Sequence, residues 1–250
     1  MKNLLLVLVL LLVVAAGVWA VANFGFEQTK VASDTVYGKV REIVVKSDRG
    51  DVDLVPASKL IEVRATRHWI VSQPKLEQTR KNGVLTIEST CTAEAVVLKC
   101  YSDLRVAVPA GVRVTVEADS GDIDLRGTDV RQVHVESGSG DIELDLSGRQ
   151  QLVFASSDSG DLDVVGRSVR AVDAQTDSGD VTVDVGGLPR RVVARSNSGD
   201  VEVAVPRGAY RIRAKSDSGD ADVRGLGRNG RSLQSVHART DSGDVAVRAR

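Results

Sequence analysis

A tetrapeptide of the form Asp-Ser-Gly-Asp returns along this chain at nearly constant spacing, and that repeat constrains the fold more than any other feature. It stands at 119–122, 158–161, 177–180, 217–220 and 241–244, with near copies at 48–51 (DRGD), 138–141 (GSGD) and 197–200 (NSGD). The turn glycines are Gly50, Gly121, Gly140, Gly160, Gly179, Gly199, Gly219 and Gly243. From Gly121 onward the step is 19 or 20 residues, apart from a last step of 24. A serine nucleophile is needed once per active site and needs a base beside it. Here the serine recurs seven times, against three histidines, His68, His134 and His237. Ser178 and its equivalents therefore read as turn residues. Glycine supplies a positive φ without steric cost, and Asp, Asn and Ser bond nearby backbone N–H groups.

Alignment on the glycines exposes four apolar columns, at seven and five residues before each glycine and two and four after it. The first runs Ile43, Val114, Val133, Val153, Val172, Val192, Ile212, Val236; the last runs Leu54, Leu125, Leu144, Val164, Val183, Val203, Val223, Val247. Alternation with polar residues is the period of half-buried strands, and the β-branched content agrees. A hairpin meander and a solenoid both fit the alternation. The solenoid is preferred, because like columns persist when every coil meets the same neighbour, and a hairpin would set the two aspartates of each turn opposite one another. The expected fold is all-β: a parallel β-solenoid (β-helix) of about 20-residue coils, preceded by one N-terminal transmembrane or signal helix. The second corner of each coil is looser. Val130, Val169 and Leu188 hint at a short third strand, and Pro109 and Pro206 in VPAG and VPRG look like equivalent corners.

Residues 4–22 are uninterrupted apolar residues after Lys2, close to the length that spans a bilayer. They read as an uncleaved anchor, with cleavage after Ala22 and secretion as the alternative; either sends the remainder out of the cytosol. No cysteine lies nearby, which excludes a lipoprotein. The expected organisation is an anchor or signal over 1–22, a tether over 23–35, an irregular β cap over 36–111 and the repeat over 112–250. Cys91 and Cys100 are the only cysteines. Zinc wants four ligands, so in an exported chain a disulfide is the better reading, with two unpaired thiols as the alternative. The strand before Arg250 reads as the open end of the stack, guarded by Arg248 and Arg250 and available for assembly.

Repeated SGD turns followed by apolar-x-apolar strands, the VPxG at 108–111 and the single N-terminal apolar segment resemble a bacterial β-strand-repeat family of unknown function, whose members are often labelled candidate adhesins. The resemblance covers roughly 36–250; the 55–105 stretch departs from the clean repeat. It implies a β-solenoid on the outer side of a membrane and brings no catalytic residues with it.

Charge is nearly balanced, with 33 Lys and Arg against 34 Asp and Glu, unlike the strong basic excess of a nucleic-acid binder. Its distribution is more informative. An aspartate follows every repeat glycine: Asp51, Asp122, Asp141, Asp161, Asp180, Asp200, Asp220 and Asp244. A second column, two residues on, holds Asp53, Asp124, Glu143, Asp163 and Glu202, so an acidic edge is expected. Arg113, Arg126, Arg190, Arg191, Arg211 and Arg224 suggest a basic edge at the other corner. Stacked carboxylates offer oxygen ligands to calcium, but the period does not match calcium-binding β-roll repeats, and capping of turn N–H groups is the simpler reading. Arg49-Gly50-Asp51 spells a cell-attachment tripeptide that one substitution in the SGD slot produces. A polysaccharide-acting enzyme would need aromatic platforms, and Trp69 is the only tryptophan outside the apolar segment. The expectation is a non-catalytic, cofactor-free interaction or scaffolding module of the cell envelope, adhesin-like, held to the membrane through residues 4–22 and meeting an unknown envelope protein or glycan. The alternative is an envelope-stress sensor ectodomain.

Overall fold

A computed structural model describes residues 27–57, 60–92 and 99–250. The apolar run 4–22, expected as an anchor or signal helix, lies outside the described residues. Every regular element within them is a strand: β1 (Gln28–Val36), β2 (Glu42–Ser47), β3 (Val52–Pro56), β4 (Ile61–Trp69), β5 (Lys75–Lys81), β6 (Val84–Thr90), β7 (Cys100–Val108), β8 (Arg113–Ala118), β9 (Ile123–Thr128), β10 (Gln132–Ser139), β11 (Ile142–Ser159), β12 (Leu162–Ser178), β13 (Val181–Val185), β14 (Arg191–Ser198), β15 (Val201–Val205), β16 (Ala209–Ser218), β17 (Ala221–Arg224), β18 (Gly227–Arg228), β19 (Ser235–Ser242) and β20 (Val245–Ala249). The chain is all-β.

Period-2 alternation decides what each strand buries. In β13, Val181, Val183 and Val185 point inward while Thr182 and Asp184 stay half-exposed. Strands that precede a repeat glycine form a first face, and strands that follow it form a second. Equivalent strands pair in parallel and in register, so each apolar column stacks on itself: Val114, Val133, Val153, Val172 and Val192 on the first face, Leu125, Leu144, Val164, Val183 and Val203 on the second. No strand pairs antiparallel with its neighbour across a repeat glycine among the described residues. Each repeat is thus one coil lying about 4.8 Å from the next. The core is the space between the faces, where each Val or Leu removed from water contributes about 1.5–3 kcal/mol. At the second corner Val130 and Val169 turn into this core, whereas Leu188 is exposed.

The coils do not stack in chain order. On the first face the spatial sequence is β6, β2, β8, β10, the C-terminal half of β11, that of β12, then β14, β19 and β16. On the second it is β7, β3, β9, β11, β12, β13, β15, β20 and β17. The last coil in sequence, β19–β20, is therefore inserted between β14–β15 and β16–β17. The free edge is β16–β17, not the strand before Arg250. The long step from Gly219 to Gly243 provides the chain length for the return. At the other end the 42–56 coil lies beneath β6 and β7. Beyond these, β5 pairs antiparallel with β6, β4 extends the second face antiparallel to β7, and β1 pairs antiparallel with β4. Most of the expected tether thus forms strand β1. Its residues are mostly exposed, so backbone pairing to the edge of β4 holds it, not burial.

Candidate functional site

The repeated turn is built as three stacked columns. At Gly50, Gly121, Gly140, Gly160, Gly179, Gly199 and Gly243 φ lies between 103° and 146°, a region closed to other residues. Contact adds a second requirement. A Cβ on Gly179 would lie 2.2 Å from the carbonyl oxygen of Gly160, and one on Gly199 would lie 2.1 Å from that of Gly179. Gly219, on the outermost coil, lacks the positive φ but not the contact, at 2.1 Å from the Gly243 carbonyl oxygen.

The aspartate after each glycine forms the second column. Asp161 Oδ1 accepts the backbone N–H of Asp180 at 2.8 Å, Asp180 that of Asp200 at 2.7 Å, Asp200 that of Asp244 at 2.7 Å and Asp244 that of Asp220 at 2.8 Å. The ladder continues back through Asp141, Asp122 and Asp51 to Asp103. Its order, 200 then 244 then 220, repeats the coil order. The carboxylates of Gly50-Asp51 and of every later turn are thus engaged with backbone donors, apart from Asp220 at the free edge.

The third column was visible in the sequence but not singled out. Three residues before the glycine stand Ser47, Ser137, Ser157, Thr176, Ser196, Ser216 and Thr240, with Ala118 the exception. Thr176, Ser196 and Thr240 donate to the carbonyls of Gly160, Gly179 and Gly199 at 3.1, 2.8 and 2.8 Å. Their recurrence at one register was the available signal. Ser178 itself is exposed, and neither β12 nor its neighbours β11 and β14 carries a histidine.

The second acidic column faces outward on the second face. Arg126 binds Asp124 at 2.7 Å, and Asp53, Glu202 and Asp222 pair with Arg105, Arg248 and Arg224. Glu143 and Asp163 make no direct ion pair among the described residues, although Arg126 lies close enough to act on Glu143. Desolvation, then Asp124, pushes the Glu143 carboxyl up; desolvation, then Asp184, does so for Asp163. No group of three His, Cys, Asp or Glu side chains among the described residues is arranged to hold a metal.

The expected basic edge does not form. Arg126 and Arg224 join acids on the second face, and Arg113 approaches Glu42 at 3.9 Å. Four arginines without an ion pair gather instead on the first face of the last three coils. Coil order brings Arg191 and Arg195 of β14, His237 and Arg239 of β19, and Arg211, Arg213 and Lys215 of β16 into one array. Row by row the register is Arg191, Ser235, Arg211; then Val193, His237, Arg213; then Arg195, Arg239, Lys215. Arg239 binds Asp217 and Asp241, and Lys215 binds Asp217. Arg191, Arg195, Arg211 and Arg213 have no acidic partner among the described residues. Burial, followed by Arg213, Arg191, Arg211 and Arg195, pushes the His237 imidazole below its usual range. Toward the opposite end of this face the row of Arg195 carries Glu136, Glu117, Lys46 and Glu88, with Lys46 paired to Glu117 and His134 bonded to Glu136.

Cys91 and Cys100 are joined, with Cα atoms 6.0 Å apart. Close by, His68 stacks on Tyr101 at 4.5 Å and lies 3.2 Å from Glu27 and 3.6 Å from Asp103, which ties β1 and β4 to the start of the aspartate ladder.

With this geometry in hand, comparison with known proteins is specific on one point. The family model described as Toastrack DUF4097 matches residues 18–248. The chain belongs to this family. No curated protein matches the Toastrack chain. Among solved structures it is similar to a candidate cell adhesion protein from Clostridium sporogenes, with 11% identity, a TM-score of 0.42 and coverage of 89% of this chain and 100% of the other. A candidate adhesin from Bacteroides fragilis is 12% identical at a TM-score of 0.45, covering 89% and 97%. A candidate lipid-binding protein from Parabacteroides distasonis is 11% identical at 0.40, covering 90% and 97%.

Proposed function

We propose that this Toastrack chain is a β-solenoid displayed on the outer side of a membrane, acting as a non-catalytic, adhesin-like interaction or scaffolding module. The observation that carries the reading is the consumption of the turn chemistry by the fold. Glycine and aspartate columns and most of the buried hydroxyl column bond coil to coil, so the residues that look like a repeated active site are structural. What remains free is the outer surface of two broad, rigid sheet faces, a surface suited to recognition. The joined Cys91 and Cys100 and the apolar 4–22 run support an extracytoplasmic setting.

The test uses the full chain in a bacterial host. Protease added to cells with a permeabilised outer layer is expected to remove the repeat region, and isolated envelope fragments are expected to retain a soluble version of residues 27–250, which lacks the apolar run 4–22. A repeat region protected in the cytosol, or envelope fragments that do not retain residues 27–250, refutes the reading.

A further inference from the structure

The arginine array on the first face is the strongest unassigned feature of the molecule. Six cationic side chains and one imidazole occupy three adjacent strands and three rows. Neighbouring strands lie about 4.8 Å apart and alternate residues about 6.6 Å apart. Like charges at such spacing repel, and four of these arginines make no ion pair among the described residues, although Asp173 of β12 stands opposite Val193 at the margin of the array. Val193 sits in the middle of the outer surface yet is fully buried, because the side chains around it cover it. The guanidinium forks stay exposed.

We propose that this array binds the repeated phosphate groups of a linear, phosphodiester-linked envelope glycan. The inference rests on the reading of the chain as an exported interaction module and names the chemistry of its partner. Arginine presents paired donors that match phosphate oxygens, and it is less strongly hydrated than lysine. An open, flat array of such forks suits an extended polymer, which crosses several rows at once, better than a small anion, which needs an enclosing pocket.

Two features of the same face select among polyanions. An anionic bilayer would have to lie against the whole face, whose far end sets Glu88, Glu117 and Glu136 beside Lys46, already paired with Glu117, and offers no second run of unpaired cations. A linear polymer crosses only the last three coils. Nucleic-acid strands are usually held by aromatic platforms beneath the bases, and the array contains no Phe, Tyr or Trp.

The experiment uses the full chain in mild uncharged detergent, with long-chain inorganic polyphosphate as the probe. Binding is expected, with log affinity falling linearly in log salt. Replacing Arg191, Arg195, Arg211 and Arg213 by Gln is expected to lower the salt slope by about 1 per lost contact and affinity at low salt by about a hundredfold. Glu117→Gln with Glu136→Gln, toward the opposite end, is expected to leave affinity unchanged within about twofold. Thermal unfolding of each variant identifies any that fail to fold. A single Arg213→Gln then serves as the milder replacement, expected to lower the slope by about 1. Bound phosphate also offsets the cations that depress His237, which is faced by Arg191 and Arg195 from β14, by Arg211, Arg213 and Lys215 from β16, and by Arg239 on its own strand. Its NMR titration midpoint is therefore expected to rise on binding.

Three results overturn the proposal: equal binding of poly-glutamate, preference for phosphatidylglycerol vesicles over polyphosphate, or a salt-sensitive dimer that the arginine variants abolish. Loss of envelope retention with polyphosphate binding intact would strike the exported-module reading alone.

Discussion

Replacing Gly179 by Ala puts both requirements of the turn to the test. The backbone φ there is 142°, and the added Cβ would lie 2.2 Å from Gly160 O and 2.9 Å from Asp161 Oδ1. Holding a non-glycine residue at that φ costs about 1–3 kcal/mol. Relieving the overlap requires the coils to part by roughly 1 Å at the turn, given ordinary contact distances. Three hydrogen bonds cross that gap: Gly160 N–H to Ser178 O at 2.9 Å, Leu162 N–H to Asp180 O at 2.9 Å and Asp180 N–H to Asp161 Oδ1 at 2.8 Å. Stretched by that amount they fall outside bonding range, and each contributes about 0.5–1.5 kcal/mol. The expected loss is about 3–6 kcal/mol, a large share of a typical domain's stability. Urea unfolding by linear extrapolation measures it. Two glycines separate the causes. Gly111 has a φ of 77° but nothing within 4 Å of the methyl that alanine would add, so Gly111→Ala reports backbone strain alone. Gly219 has the contact without the positive φ, on a coil whose outer side is free to shift. If Gly179→Ala costs no more than Gly111→Ala, the stacking argument is wrong.

Ser178→Ala is expected to change stability by less than about 0.5 kcal/mol, and a serine-reactive probe is expected not to label the chain; stoichiometric labelling at Ser178 would refute its role as a turn residue. The unfolding temperature is expected to be nearly insensitive to millimolar calcium, whereas binding at one hundred times the dissociation constant would add about 2.7 kcal/mol per site, reversed by chelator. Replacing Cys91 and Cys100 by Ser removes a short closed loop and is expected to cost about 2.7 kcal/mol, read by the same urea titration. The raised carboxyl pKa of Asp163 means that the folded chain binds a proton there more readily than the unfolded chain does. Its contribution to stability is therefore best in acid and falls as pH rises through the carboxylate range. Asp163→Asn is expected to stabilise at neutral pH by up to about 1 kcal/mol, with the gain vanishing in acid; a gain that grows in acid would contradict this.

The turns and apolar columns could be read from the sequence because their causes are local. Period-2 alternation and a glycine that tolerates no Cβ act within one repeat. The order of the coils could not be read, because the columns are interchangeable: Val192 stacks on Val236 as readily as it would on Ile212. Only the long step from Gly219 to Gly243 marked the exchange. The arginine array was hidden for the same reason. In chain order Arg211 belongs to the coil after Arg191, but in space the coil carrying His237 and Arg239 lies between them. The hydroxyl column from Ser47 to Thr240 was legible by recurrence alone. Strand β1 was not, since its pairing with β4 rests on backbone groups that leave no side-chain pattern.

The exchanged coils at both ends change how such a stack comes apart. A repeat array laid down in chain order can peel from its last repeat, one nearest-neighbour contact at a time. Here residues 235–249 are wedged between two other coils, and 42–56 lies under β6 and β7. Pulling on the chain at Arg250 must dislodge an inner layer with sheet on both sides, so the weakest step is removed from the place where that force acts. During synthesis the same arrangement delays closure, because β16–β17 cannot take its final neighbour until the ribosome has released the last strand.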